Sequence, residues 1–167
     1  AKKLTETAIN NYYDDEVGGF FDTPQNRTDI IIRTKEIYDG AEPSGNSVML
    51  DNLYRLHIIF KDEKYFSIAE KNFKYFYEKV ADNPFSSPFY LSSLFNFLKF
   101  NTSIILSGDL RSDEFNELHT VLKQKYLPNK NLLYYNNVSA KMIPYLNDII
   151  TDADKNRVYV CENFSCN

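Results

Sequence analysis

The segment from Arg33 to Ser47 carries the side chains of this sequence that are best suited to chemistry. It combines cations, acids, two glycines, a proline and small polar residues, and it leads directly into a helix-periodic stretch. A helix N-terminus offers free N–H groups and a positive dipole end, which suit an oxygen-rich ligand. Asp39 and Glu42 are the natural acid–base pair, because glycoside chemistry needs two carboxylates that face one bond.

The same two carboxylates also have a structural interpretation, in which they cap a turn and pair with nearby cations. Asp22 is a further candidate, because it follows two glycines and two aromatic residues that would suit a sugar-stacking wall. The small polar residues of the segment either bind a ligand or cap the following helix. We expect residues 33–47 to pack against residues 18–22 and form one rim. The candidate binding residues are Phe21, Asp22, Arg33, Lys35, Ser44, Asn46 and Ser47.

The histidines and cysteines give no metal site. His57 and His119 fall outside the polar segment, within predicted helices, and a surface or half-buried structural role is favoured for both. Cys161 and Cys166 lack the further ligands that a zinc site needs. Structural thiols are expected, since a disulfide across so short a loop is unusual in a cytoplasmic protein, and a redox or metal role stays open. The sequence therefore predicts no metal and no cofactor.

The composition is that of a globular domain. Hydrophobic residues make up 43% and charged residues 25% of 167 positions, and the formal net charge is −4 without a block of like charge. This balance argues against a nucleic-acid or anionic-membrane surface. No apolar run has the length of a membrane span, and two cysteines favour a cytoplasmic location. The chain starts inside a helix-like pattern without a Met, so we expect a fragment or a processed piece.

The elements that must position these residues follow from periodicity and turn signals. We expect a helical portion over residues 1–102 and a small α/β portion over residues 103–167, with a turn at Pro128 and Asn129. Helices are predicted over 1–13, 44–60, 63–80, the stretch after Pro88, 112–126 and 140–149. Short strands are predicted over 30–33, 103–108, 132–135 and 157–161.

Three local patterns together resemble one family. They are Gly18-Gly19-Phe20-Phe21-Asp22, then Arg33-x-Lys35 with Asp39-Gly-Ala-x-Pro-Ser-Gly-Asn-Ser47, and finally Tyr159-Val-Cys-x-Asn-x-x-Cys166. In this order they resemble the C-terminal part of the YyaL family, which includes the spermatogenesis-associated thioredoxin-like proteins. The resemblance implies a segment of an (α/α)6 toroid related to N-acylglucosamine epimerases and six-hairpin glycosidases. It also implies a three-stranded βαβ-type C-terminal piece, so that the fold class is mainly α with a small α/β part.

The resemblance leaves two functions open. The first is a toroid that binds or processes a carbohydrate or another small molecule, as a hydrolase or an epimerase if it is an enzyme. The second is a non-catalytic scaffold or interaction domain of a thioredoxin-linked protein. In either case the expected partner is the N-terminal portion of the same protein or a second copy. No residue here matches the redox site of the thioredoxin-like domain.

Overall fold

The computed structural model describes residues 1–99, 102–127, 130–153, 155–162 and 165–166. The predicted turn at Pro128 and Asn129, and Asn163 of the C-terminal motif, lie outside the described residues. The chain divides into two compact units, Ala1–Lys99 and Phe100–Asn167, called here unit 1 and unit 2.

Unit 1 is helical, and its elements follow the apolar periodicity of the sequence. A two-residue connection of Lys61 and Asp62 separates the two longest helices, and Lys61 adopts the left-handed conformation with φ of 52°. Asp62 caps the second of these by accepting a hydrogen bond from the Lys64 N–H. The helices are α1 (Lys2–Tyr12), α2 (Gly45–Phe60), α3 (Glu63–Asp82) and α4 (Pro88–Lys99), with a 3-10 turn at Pro84–Ser86.

The core of unit 1 forms around α2, which contacts both α3 and α4. Apolar positions three residues apart on α2, such as Leu50 and Leu53, are fully buried. They pack with Tyr65 and Phe76 of α3 and with Tyr90 of α4. The four predicted helices of this unit are therefore confirmed in position and type.

Two expectations for this part of the chain are wrong. The helices of the described residues form a small bundle centred on α2, so the segment of an (α/α)6 toroid is not what the chain builds. The predicted strand at residues 30–33 is an irregular loop in which Ile31 is 99% and Ile32 is 76% exposed. Their β-branched side chains favour a strand, but a strand needs a pairing partner, and the described residues supply none there.

Unit 2 is a mixed sheet with helical connections. The sheet has the order β2-β1-β3-β4, in which β1 pairs with β2 in parallel and with β3 in antiparallel fashion. The buried side chains Ile104, Leu106 and Phe115 form an apolar cluster. The elements are β1 (Thr102–Ser107), α5 (Asp113–Gln124), β2 (Lys130–Tyr134), α6 (Asn137–Met142), α7 (Leu146–Ile149), β3 (Arg157–Glu162) and β4 (Ser165–Cys166).

Unit 2 corrects the predicted three-stranded βαβ-type piece. The connection from β1 through α5 to β2 is a parallel crossover, as expected, but β3 runs antiparallel to its neighbour β1. The helix predicted over residues 140–149 is two short helices, α6 and α7. A fourth strand of two residues, β4, pairs with the end of β3.

A disulfide joins Cys161 to Cys166 across this last pairing. The two residues are register partners on adjacent antiparallel strands, and their Cα atoms lie 3.9 Å apart. The expectation of free structural thiols is therefore wrong. The hairpin brings the two cysteines opposite one another, which their spacing along the sequence does not reveal.

Candidate functional site

The polar segment 33–47 packs against the residues around Gly18–Asp22, as predicted. Asn46 hydrogen-bonds both backbone groups of Phe20, and the Thr34 carbonyl accepts a hydrogen bond of 2.8 Å from the Asp22 N–H. The ammonium of Lys35 donates to the Gly18 carbonyl at 2.6 Å. The expectation of one shared rim is confirmed.

Asn46 holds three separate parts of unit 1 together. Its Oδ1 accepts hydrogen bonds from the Phe20 N–H at 2.7 Å and from the Asn72 amide at 3.0 Å. Its Nδ2 donates to the Phe20 carbonyl at 2.9 Å and to the Glu36 carbonyl at 2.8 Å. A primary amide has two donors and two acceptor positions, so these four bonds use its full capacity. The Asn46 side chain is therefore structural and has nothing left to offer a ligand.

Lys35 is a buried cation with complete coordination. Its side chain is 4% exposed, and its ammonium pairs with Asp14 Oδ2 at 2.7 Å. It also lies 4.1 Å from the ring centre of Tyr75 and 4.6 Å from that of Phe21. The hydrogen bond from Lys35 holds the pKa of the Asp14 carboxyl below its usual value. A charge this enclosed stabilises the loop and is not accessible to a ligand.

Arg33 has a similar structural role nearer the surface. Its guanidinium stacks on the ring of Phe21, with Cζ 3.8 Å from the ring centre. Nε and Nη2 both donate to the Thr23 carbonyl, at 3.2 and 2.7 Å. Cation–π stacking and these hydrogen bonds together fix the Phe21 ring.

Asp39 caps a helix that begins 49 residues further along the chain. Its Oδ2 accepts hydrogen bonds from the N–H groups of Phe89 and Tyr90, in the first turn of α4, at 2.9 and 3.0 Å. Its Oδ1 accepts from the Ser44 N–H at 2.8 Å. These contacts favour the structural interpretation of Asp39, while its catalytic role stays a prediction.

Glu42 lies in the loop just before α2. It is exposed, and among the described residues it makes no hydrogen bond or ion pair. The predicted acid–base pair therefore consists of one carboxylate engaged with backbone and one in solvent.

Ser44 caps α2, and Ser47 lies beside it in the first turn of that helix. Ser44 Oγ accepts a hydrogen bond from the Ser47 N–H at 3.1 Å, and the two hydroxyls lie 2.9 Å apart. Both side chains are buried. Capping was one of the two roles predicted for these residues, and the structure shows it for Ser44.

A cleft of about 340 Å³ opens beside this rim. Three of the predicted binding residues, Phe21, Asp22 and Asn46, lie in its wall, whereas Arg33, Lys35, Ser44, Ser47, Asp39 and Glu42 do not. The wall of the cleft also includes Ala8 and Tyr12 of α1, which were not predicted as site residues. The helical periodicity of α1 places these two residues on one face. The complete lining is Ala8, Tyr12, Phe20, Phe21, Asp22, Gly45, Asn46 and Met49.

Asp22 is the carboxylate in the wall of the cleft. Its Oδ2 accepts a hydrogen bond from the Thr34 hydroxyl at 2.8 Å, and its Oδ1 accepts from the Glu36 N–H at 3.3 Å. A carboxylate has about four acceptor positions, so these two bonds orient Asp22 and leave capacity for a ligand donor. Glycine at position 45 leaves open space beside the first turn of α2.

Neither histidine is among the described residues that line this cleft. His57 Nδ1 lies 3.2 Å from the Asp62 carbonyl within unit 1. His119 Nε2 lies 2.7 Å from the Tyr134 hydroxyl within unit 2. In the ranges that the structure describes, no group of three or more His, Cys, Asp or Glu residues is arranged to hold a metal ion. In those same ranges, no helix combines the length and the apolar character that crossing a membrane requires.

The sequence is similar to that of two kinds of known protein. It is 27% identical over 171 residues to spermatogenesis-associated protein 20 of Homo sapiens, an alignment that covers 99% of this chain and 22% of the human protein. The same protein of Rattus norvegicus gives the same identity and coverage. An uncharacterized protein of Caenorhabditis elegans is 28% identical over 151 residues, covering 89% of this chain and 20% of its own length. No family model matches the chain.

These alignments support homology with spermatogenesis-associated protein 20 along the whole chain. They agree with the part of the resemblance that named the spermatogenesis-associated proteins. The chain spans about a fifth of the length of the curated relatives it matches. The names of these relatives state no reaction, ligand or partner, so the relatives assign no activity to the cleft.

Proposed function

We propose that unit 1 is a small-molecule-binding module whose ligand occupies the cleft between Tyr12, Asp22 and Gly45. The ligand class that fits best is an uncharged compound with hydroxyl groups and one apolar face, such as a monosaccharide. The observation that carries this proposal is the cleft of about 340 Å³ in which aromatic and apolar side chains surround one carboxylate. Sites for small molecules have this size and this mixture of apolar walls with few polar groups.

The charges around the cleft define what it can accept. Asp22 can accept a hydrogen bond from a ligand hydroxyl, and it would repel an anion. The two nearby predicted cations do not line the cleft, since Lys35 is enclosed and Arg33 is stacked on Phe21. A neutral ligand with hydroxyl donors therefore suits the site better than a phosphate or a carboxylate.

The same geometry supports binding rather than hydrolysis. Among the described residues that line the cleft, Asp22 is the only one with a carboxylate. Glycoside hydrolysis uses a pair of carboxylates about 5–10 Å apart across the scissile bond. We therefore propose a non-catalytic role, with the acid–base assignment of Asp39 and Glu42 as the alternative that enzyme assays would test.

Filling the cleft tests this proposal directly. A Cβ added at Gly45 meets no atom within 4 Å, so the side chain of Gly45→Phe starts in open space and adds a ring beside the cleft. The probes are glucose, mannose, N-acetylglucosamine and myo-inositol. Binding of each probe is monitored by the amide chemical shifts of the full chain. We expect one of these probes to shift the amides of residues 20–22 and 45–46, Gly45→Phe to abolish the shifts, and Gly45→Ala to retain them.

The outcomes of this experiment are distinct. Binding that survives Gly45→Phe would place the ligand elsewhere and overturn the proposal. The absence of any shift at probe concentrations of about 10 mM, where even a weak Kd of about 1 mM is saturated, would also overturn it. Melting temperatures of the two Gly45 variants check that the fold is unchanged.

A second candidate function is protein interaction, and the exposure of Ile31 and Ile32 favours it. Two adjacent isoleucines at 99% and 76% exposure form an apolar loop tip that water does not favour. We propose that this loop contacts a second copy of the chain. Sedimentation of the chain should then show a dimer that Ile31→Ser with Ile32→Ser dissociates, and a monomeric wild type would refute this.

A further inference from the structure

A second crevice, independent of the cleft in unit 1, lies in unit 2 at the ends of the parallel strands. Strands β1 and β2 run in the same direction, so the loops that follow them leave the sheet at the same edge. Residues 108–111 follow β1, and residues 135–137 follow β2. In open sheets of this kind, ligands bind outside the carboxyl ends of the parallel strands.

The crevice has the size of a metabolite site. Its volume is about 330 Å³, at the lower end of the range for small-molecule sites. Its walls come from both loops and from one residue of the segment before β3. The lining residues are Gly108, Asp109, Leu110, Arg111, Tyr135, Asn136, Asn137 and Ala153.

The backbone of this crevice is fixed in advance of any ligand. Gly108 has a φ of 122°, and a Cβ there would clash with the Asn156 side chain. Asn156 Oδ1 accepts a hydrogen bond from the Asp109 N–H at 3.0 Å, and its Nδ2 donates to Ser112 Oγ at 3.0 Å. On the opposite side, Asn136 caps α6 through two backbone N–H groups. A preorganised loop binds without an ordering cost.

Opposite charges face this crevice from one loop. The guanidinium of Arg111 has no acceptor among the described residues. Asp109 uses Oδ1 to accept a hydrogen bond from the Arg111 N–H at 3.0 Å, which leaves Oδ2 available. Asn137 contributes an exposed amide at the start of α6. Asp113 and Glu114 in the first turn of α5 add negative charge nearby, which disfavours a phosphate dianion.

We propose that this crevice binds a small zwitterion of the amino-acid class. Arg111 receives the carboxylate, for which a guanidinium offers two parallel N–H donors. Asp109 receives the ammonium, and Leu110, which is 48% exposed, contacts the apolar part of the ligand. A cation and an anion two residues apart on a rigid loop match the paired charges of such a molecule.

The test uses the isotope-labelled full chain with pools of the proteinogenic amino acids, each at about 10 mM. Inorganic phosphate and glycerol serve as an anionic and a neutral probe at the same concentration. We expect at least one pool to shift the amides of residues 108–111 and 135–137, while phosphate and glycerol do not. The amine and the carboxylic acid derived from the active amino acid, each lacking one charge, should bind at least about tenfold more weakly.

Variants assign the charges. Arg111→Gln should weaken binding at least about tenfold, because it removes a charge-assisted hydrogen bond. Lys123→Gln, which removes another exposed cation from the last turn of α5, is the matched control and should bind as the wild type does. Melting temperatures should be unchanged in both. Equal binding by Arg111→Gln, shifts with phosphate or glycerol alone, or no shift from any pool would each overturn the proposal.

Discussion

Replacing Asp39 should destabilise unit 1, because this carboxylate satisfies three backbone N–H groups from two places in the chain. One oxygen accepts from Ser44 at 2.8 Å, and the other accepts from Phe89 and Tyr90 at 2.9 and 3.0 Å. The last two N–H groups belong to the first turn of α4, where no intrahelical acceptor exists. The side chain therefore acts as the N-cap of α4, although it lies 50 residues before that turn.

The size of the effect follows from these bonds. Loss of an N-cap costs about 1–2 kcal/mol, and the Ser44 bond adds about 1 kcal/mol. Asp39→Ala should therefore lower the free energy of unfolding by about 2–3 kcal/mol. Asn has one acceptor oxygen, so it can serve either α4 or Ser44 while its NH2 group faces the other donor. Asp39→Asn should therefore lose about 1–2 kcal/mol.

The assay is a urea titration followed by amide NMR signals of unit 1, since two units need not unfold together. Glu42→Gln is the matched control, because it removes a neighbouring exposed carboxylate and should change stability by less than about 0.5 kcal/mol. A stability of Asp39→Asn within that margin of the wild type would refute the capping argument. Equal losses in Asp39→Asn and Glu42→Gln would refute it as well, because they would trace the effect to net charge.

Three further predictions concern other parts of the chain. The pKa of Asp14 is lowered by its buried lysine partner, so the stability that the ionised carboxylate contributes is present above the unfolded pKa of about 3.9 and is lost as the pH falls. Asp14→Asn should therefore lower the free energy of unfolding by about 3 kcal/mol at neutral pH, and it should make that free energy less dependent on pH in the acid range. Gly18→Ala should destabilise unit 1 by more than about 1 kcal/mol in urea, because φ is 90° and the added Cβ meets a backbone carbonyl at 2.5 Å, whereas Gly45→Ala should be neutral or stabilising. Thiol labelling of the unfolded, unreduced chain should modify neither Cys161 nor Cys166, and reduction should lower the stability of unit 2 by about 2 kcal/mol; labelling of both would exclude the disulfide.

The sequence predicts the elements whose signals are local. The helices of unit 1 carry apolar residues at helical spacing and begin at capping residues such as Ser44 and Asp62, so both their type and their bounds are recoverable. The loop at Ile31 and Ile32 shows the limit of such signals, because strand formation depends on a partner that propensity does not reveal. The direction of β3 also depends on how its connection crosses the sheet, which periodicity does not encode.

The position of the candidate site could be predicted from the sequence better than the chemical roles of its residues. Proximity of segment 33–47 to residues 18–22 follows from their shared richness in glycine and hydrogen-bonding side chains. The hydrogen bonds that those side chains make do not follow from the local sequence. Asp39 bonds to a turn 50 residues later, and Asn46 bonds to a residue of α3. The α1 side of the cleft was not predicted, because an apolar face on a helix indicates that the face is buried but does not indicate which residues pack against it.

The four hydrogen bonds of Asn46 also have a consequence for how unit 1 opens. An irregular segment normally exchanges its amide hydrogens through small local fluctuations that leave the neighbouring helices intact. Here the N–H of Phe20 is bonded to a side chain on α2 that is itself bonded to Asn72 on α3. Releasing Phe20 leaves a buried amide unsatisfied, so the loop and the two helices form one cooperative unit. The amide hydrogen of Phe20 should therefore exchange as slowly as the amide hydrogens in the core of α2, although Phe20 does not belong to a helix.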